Sequence, residues 1–193
     1  MESKLLIWLK KNYSNVIFGL LVIVLLFSST AKEFVIKTVA STGLMTSSFE
    51  EKPIQNPKNN FSVVAINGKI IEIDDLKGKV VFINFWASWC PPCRAEFPSI
   101  QEFYNLYKNN HQIEFLLINM DDDRNKGLEF LKDKNSLLAF YQLGSEVSKD
   151  IYDGSLPTTV IMDKNGAIRF RHTGAADFTK SSFLEEINLL LSE

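Results

Sequence analysis

Two cysteines stand three residues apart directly after an apolar run, and this junction constrains the fold more than any other feature of the chain. Residues 80–87 are apolar throughout except for Asn84. Their number, and their β-branched and aromatic content, suit a central strand buried on both faces. From Pro91 to about Lys108 the pattern turns helical, with Phe97, Ile100, Phe103, Tyr104 and Tyr107 on one stripe. Pro91 fits the first helical turn, where its missing N–H is not needed and its fixed φ is already helical. Cys90 therefore falls where a buried strand gives way to a helix, and Cys93 falls one turn later on the same face.

The remaining pattern extends this unit into a domain over 61–193. Residues 61–66 and 69–73 flank Asn67-Gly68, a strong hairpin signal. A buried strand is expected at 113–119, a helix at 125–134 and a short helix at 146–152. Strands at 158–162 and 167–172 are joined by the Asp163-Lys164-Asn165-Gly166 turn. An amphipathic helix at 179–191 closes the chain, with Phe183, Leu184, Ile187 and Leu190 inward. The order predicts an α/β fold: a mixed central sheet with helices on both faces and an added N-terminal hairpin. Asp121-Asp122-Asp123 resembles a metal-binding carboxylate cluster, but reads better as the cap and first-turn charge of the 125–134 helix.

The cysteine count narrows the chemistry. Two adjacent cysteines cannot form a structural disulfide framework. A four-ligand zinc site needs two more ligands, and His111 and His172 lie in separate segments without partners at ligand spacing. A net charge of −2 gives no global attraction to nucleic acid. What remains is thiol chemistry. At a helix N-terminus the Cys90 sulfur meets unpaired amides and the positive end of the dipole, and both favour thiolate over thiol. Pro91 and Pro92 stiffen the loop but withhold two amides, so these effects oppose each other.

Ahead of the domain, residues 13–31 contain no charge, and as a helix these nineteen residues reach about 28 Å, close to the hydrocarbon thickness. Lys4, Lys10 and Lys11 precede the segment and favour a cytoplasmic N-terminus over residues 1–12, although Lys32 and Lys37 weaken that bias. The segment reads as a retained transmembrane anchor. A cleaved leader ending at Ser29-Thr30-Ala31 is the competing reading. Either places the rest of the chain outside the cytoplasm. Residues 32–60 form a connector, polar and proline-bearing in its second half, with an apolar first half whose role stays open.

Residues 84–98, Asn-Phe-Trp-Ala-Ser-Trp-Cys-Pro-Pro-Cys-Arg-Ala-Glu-Phe-Pro, closely resemble the active-site stretch of the TlpA/ResA-like family. Those are membrane-tethered, thioredoxin-like proteins facing the periplasm or the cell exterior. Leu156-Pro157-Thr158-Thr159 is a second mark of the same resemblance. It implies a thioredoxin-like fold, with Cys90 and Cys93 catalytic and Pro157 in a cis peptide beside the disulfide. It implies that Trp89, Pro91, Pro92, Leu156 and Pro157 form the substrate-binding surface, that Trp86 is core, and that Pro98 kinks the helix. Asn84 departs from cytosolic thioredoxins, which carry a buried aspartate there. Glu96 matches the acidic residue that this family places near its thiols, and is the remaining proton-handling candidate.

The expected reaction is dithiol–disulfide exchange in a protein disulfide reductase, with no cofactor or metal. The resemblance implies disulfide-bearing exported clients such as apocytochrome c, and a membrane protein as electron donor. A disulfide-introducing oxidase uses the same centre at a different potential. A Cu(I)-binding chaperone using both thiolates is the rival from another class, and it lacks a convincing third ligand. A peroxide-reducing enzyme is disfavoured because both cysteines sit in one helical turn.

Overall fold

The computed structural model describes residues 12–15, 17, 18, 60–134, 136 and 138–193. The expected cytoplasmic stretch, anchor and connector lie outside the described residues, apart from the few near Tyr13 and Asn60. Of those few, 13–15, 17 and 18 are helical. No helix among the described residues is long and apolar enough to cross a membrane.

The domain opens with strands β1 (Ser62–Ala65) and β2 (Ile70–Glu72), paired antiparallel around a turn in which Gly68 takes a φ of 83°. A 3-10 helix (Ile73–Leu76) leads into β3 (Val80–Trp86), and the active-site helix α1 (Pro91–Tyr107) follows. Then come β4 (Ile113–Asn119), α2 (Arg124–Asp133), β5 (Phe140–Leu143), β6 (Thr158–Met162), β7 (Ile168–Thr173) and α3 (Ser181–Ser192). The strands form one seven-stranded sheet in the order β2-β1-β5-β4-β3-β6-β7. β3 lies inside it, parallel to β4 and antiparallel to β6, and all seven of its residues are buried. This is the environment its unbroken apolar run requires.

Alternation along β3 divides the core in two. Val80, Phe82 and Trp86 face one cluster, which also takes Cys93, Phe97, Ile100 and Phe103 of α1, Phe130 and Leu131 of α2, and Phe183, Ile187 and Leu190 of α3. Val81, Ile83 and Phe85 face the other, with Ile73, Leu76, Leu116, Ile151 and Val160. Helices were expected on both faces, but all three α-helices pack into the first cluster. The second face is covered by the 3-10 helix and the irregular segment around Ile151. The helix expected at 146–152 is absent. Ile151 and Tyr152 both donate to the Ser148 carbonyl at 3.0 Å, which makes a single local turn. Ser145 spends its hydroxyl on the Ser62 amide at 2.9 Å. Such side-chain and turn bonds compete with helix. Ile151 is fully buried and Tyr152 stacks on Phe85 at 4.5 Å, so the segment meets the core without helical periodicity. No strand is expected from the sequence at β5. It pairs with β4 on one side and β1 on the other.

Candidate active site

The active-site turn begins where β3 ends. Met120 donates to the Trp86 carbonyl at 2.8 Å, and Cys90 donates to the Ala87 carbonyl at 3.2 Å, closing a turn over 87–90. Cys90 keeps extended backbone angles as the N-cap of α1, and its Sγ accepts from the Cys93 amide at 3.3 Å. Pro91 and Pro92 occupy the first positions of the helix, where they have no amide to offer. Cys90 and Cys93 are joined as a disulfide with a Cα separation of 5.3 Å. Cys90 is 2% exposed and Cys93 fully buried, whereas the adjacent Trp89 is 65% exposed. An indole left in water beside two shielded sulfurs is the outstanding surface feature of the site. Trp86 is fully buried, and α1 runs unbroken through the exposed Pro98.

The second sequence mark arrives at the same end of the sheet. Pairing of Phe85 with Thr158 and of Asn84 with Thr159 sets the start of β6 against the end of β3, next to the active-site turn. The Leu156–Pro157 peptide is cis. Pro157 is buried, and Leu156 is half-buried against the cluster that contains both cysteines. The Pro157 carbonyl accepts from Gly174 at 2.9 Å, tying the segment to the loop after β7.

Glu96, one turn beyond Cys93, is a buried carboxyl, 3% exposed. Its Oε1 accepts from Asn84 Nδ2 at 2.9 Å, and its Oε2 accepts from the Ala176 amide at 3.1 Å. Asn84 also donates to Thr159 Oγ1 at 2.9 Å. Burial pushes the Glu96 pKa up to about 8, against the pull of the Asn84 and Ala176 hydrogen bonds, which favour the charged form. A carboxyl poised there takes or gives a proton near neutral pH. The sequence pointed to Glu96 but not to its partners. Thr159 was visible only as part of the Leu-Pro-Thr-Thr motif, and a backbone donor such as Ala176 leaves no sequence signal.

The three aspartates expected to serve α2 do different things. Asp123 is the N-cap and accepts from the Asn125 amide at 3.0 Å. Asp122 is exposed, while Asp121 is buried and turned toward the active-site loop. Its Oδ1 accepts from Ser88 Oγ at 2.9 Å, and both its oxygens accept from the Ser88 amide, at 3.2 and 3.1 Å. His111 is exposed. His172 lies on β7 across from Thr159, and burial lowers its pKa against backbone hydrogen bonds at Gly174 and Ala175. Among the described residues, no three His, Cys, Asp or Glu side chains gather closely enough to hold a metal ion.

Comparison with known proteins agrees with this geometry. The Redoxin family model matches residues 51–187. The thiol-disulfide oxidoreductase ResA of Bacillus subtilis is 34% identical over 132 residues, 68% of this chain and 72% of its own length. ResA of Bacillus cereus is 34% identical over 120 residues, 62% of this chain and 69% of its own length. The crystal structure of StoA from Bacillus subtilis superposes with a TM-score of 0.54 at 25% identity, covering 67% of this chain and 96% of that one. With its Cys-Pro-Pro-Cys pair at the N-terminus of α1, the chain belongs to the redoxin family and is a thiol-disulfide oxidoreductase of the ResA type.

Proposed function

We propose that the chain is a membrane-anchored, extracytoplasmic reductant of disulfides in exported proteins, apocytochrome c among them. Residues 1–12 remain cytoplasmic, 13–31 span the membrane, 32–60 form the tether and 61–193 form the working domain. The observation that carries the chemical part of this reading is the Cys90 sulfur at the N-cap of α1, accepting the Cys93 amide.

In the forward direction the Cys90 thiolate attacks one sulfur of a client disulfide. A mixed disulfide forms, and the other client sulfur leaves as a thiolate and takes up a proton. Cys93 gives its proton to the ionised form of Glu96, and its thiolate attacks the Cys90 sulfur. The Cys90–Cys93 bond forms, and the second client sulfur departs and is protonated. Two electrons have passed to the client, and a membrane donor protein restores the dithiol. A carboxyl pKa of about 8 lies close enough to that of a thiol, ordinarily about 8.5 and raised by burial, for the proton to pass between them. Trp89, Pro91, Pro92 and Leu156 form the surface on which the client settles, backed by the buried cis Pro157.

The reductive direction draws support from the first turn of α1. Pro91 and Pro92 carry no N–H, so of the first three helical residues only Cys93 offers an amide to the sulfur. A thiolate stabilised by few donors leaves the reduced form less favoured, which lowers the potential and suits a reductant.

Trapping tests the assignment. Cys93→Ser in cells is expected to accumulate a covalent complex with the client, because the mixed disulfide cannot resolve, while Cys90→Ser accumulates little. The reverse pattern would overturn the roles. Equilibration of the protein with a dithiol buffer tests the direction: the midpoint is expected well below the roughly −120 mV of a strong oxidant. A midpoint near that value would make the chain an oxidase.

A further inference from the structure

Asp121 has no part in the exchange chemistry above, yet it is a carboxyl 5% exposed beside the active-site turn. Three side-chain and backbone donors converge on it. Ser88 supplies its amide and its hydroxyl, and Asn119 supplies Nδ2 at 2.7 Å. The Asp121 amide returns a bond to Asn119 Oδ1 at 3.2 Å. Burying a carboxylate is unfavourable unless such bonds are made. Here the bonds run to the residue immediately before Trp89. The Asn119 side chain is itself braced from α2. A Cβ added at Gly127 would lie 2.6 Å from Asn119 Nδ2, so this glycine is what allows α2 to close over the amide. A continuous line of contacts therefore runs from Gly127 through Asn119 and Asp121 to Ser88.

We propose that Asp121 is a positioning residue that sets the Ser88–Trp89 turn in advance, presenting the exposed Trp89 indole to the polypeptide flanking a partner's disulfide. The inference rests on the reading of Trp89 as part of the partner-binding surface. A flat aromatic anchor binds more tightly when its backbone is already fixed, because less conformational freedom is lost on contact. None of the bonds at Asp121 reaches either sulfur. Loss of the clamp therefore weakens engagement of a peptide chain and leaves the sulfur chemistry intact.

Stopped-flow exchange between the reduced full-length protein and two probes tests this. One probe is an unfolded peptide closed by a disulfide and carrying apolar residues beside its cysteines. The other is dithiobis(nitrobenzoate), which has no peptide chain to engage. For Asp121→Asn the half-saturating peptide concentration is expected to rise about fivefold, while the limiting rate, the rate with the small disulfide and the midpoint potential all change by less than twofold. Ser88→Ala, which keeps the amide bond, is expected to show a smaller shift in the same quantity. Gly127→Ala touches neither the turn nor the sulfurs and favours helix, yet it is expected to reproduce part of the shift by displacing Asn119. In a Trp89→Ala background Asp121→Asn is expected to add nothing. If Trp89→Ala itself leaves peptide exchange unchanged, the reading of the binding surface fails. If Trp89→Ala weakens the peptide and Asp121→Asn does not, the clamp alone is refuted. Equal losses on both probes, or a shifted potential, would make Asp121 a support of the sulfurs and overturn the proposal.

Discussion

The side-chain amide of Asn84 lies 2.9 Å from Oε1 of Glu96 and donates to it, so a strand residue that cannot titrate steadies a helix residue that can. Where a carboxyl at the Asn84 position would compete for the same proton, the amide leaves Glu96 as the buried acid of this network. The consequence is measurable in the stability of the fold.

In the folded protein Glu96 ionises at about 8, against 4.5 in the ordinary state. Between those values the folded state holds a proton that the unfolded chain has released. The contribution of Glu96 to stability is therefore greatest below pH 4.5, falls by about 1.4 kcal/mol per pH unit through that window, and levels off above 8. Glu96→Gln is expected to remove this component. Urea midpoints for the oxidised protein from pH 5 to 9 provide the check, and parallel slopes in the two proteins would contradict it.

The two thiols of the reduced protein are expected to react unequally. Cys90, capped by the Cys93 amide at the helix start, is expected to titrate below the ordinary thiol value of about 8.5. Cys93, fully buried, is expected to titrate above it. Iodoacetamide labelling followed by mass spectrometry at pH 7 should place the adduct on Cys90. Faster labelling of Cys93 would reverse the assignment of nucleophile and resolving thiol.

Phe82 anchors the aromatic core beneath α1. It meets Phe103 and Phe178 edge to face at 5.3 and 5.2 Å and Phe115 at 5.6 Å, and it is fully buried. Phe82→Ala is expected to cost about 3–5 kcal/mol in unfolding free energy, since rigid neighbours refill such a cavity only in part. Chemical unfolding measures this, and a loss below about 1 kcal/mol would mean that the cluster collapses around the gap.

The full chain is expected to stay with the membrane fraction through an alkaline carbonate wash, with its N-terminus intact on sequencing. A mature chain that begins at Lys32 would identify residues 13–31 as a leader, and would remove the tether while leaving the exchange chemistry as it is.

Legibility in the sequence followed burial. β4 and β6 fall on their expected residues, and β3 ends one residue early, because strands buried on both faces are written as unbroken apolar runs. The cysteine pair and the cis Pro157 were carried by motifs whose residues are adjacent in the chain. β5 has only four residues, half of them partly exposed, and lacks both an apolar run and a clean alternation. The segment at 146–152 carries helix-like apolar spacing in Val147, Ile151 and Tyr152, but tertiary contacts with Phe85 and the local Ser148 turn decide its conformation. Asp121 was hidden by its neighbours: three consecutive aspartates before a helix read as one cap, and only the fold separates the residue that caps from the one that reaches back to Ser88.

The shielding of the two sulfurs has a kinetic meaning. With Cys90 2% exposed and Cys93 fully covered, the oxidised centre resembles an electrical contact recessed in its housing. Attack on a disulfide needs access to one particular sulfur. Chance collisions with soluble thiols are expected to achieve that rarely here, so such thiols are expected to reduce the pair slowly. A partner shaped to press against the rim is expected to achieve it. The stored oxidation state is thereby insulated from its surroundings and handed on by appointment, and the shape of the socket chooses the circuit.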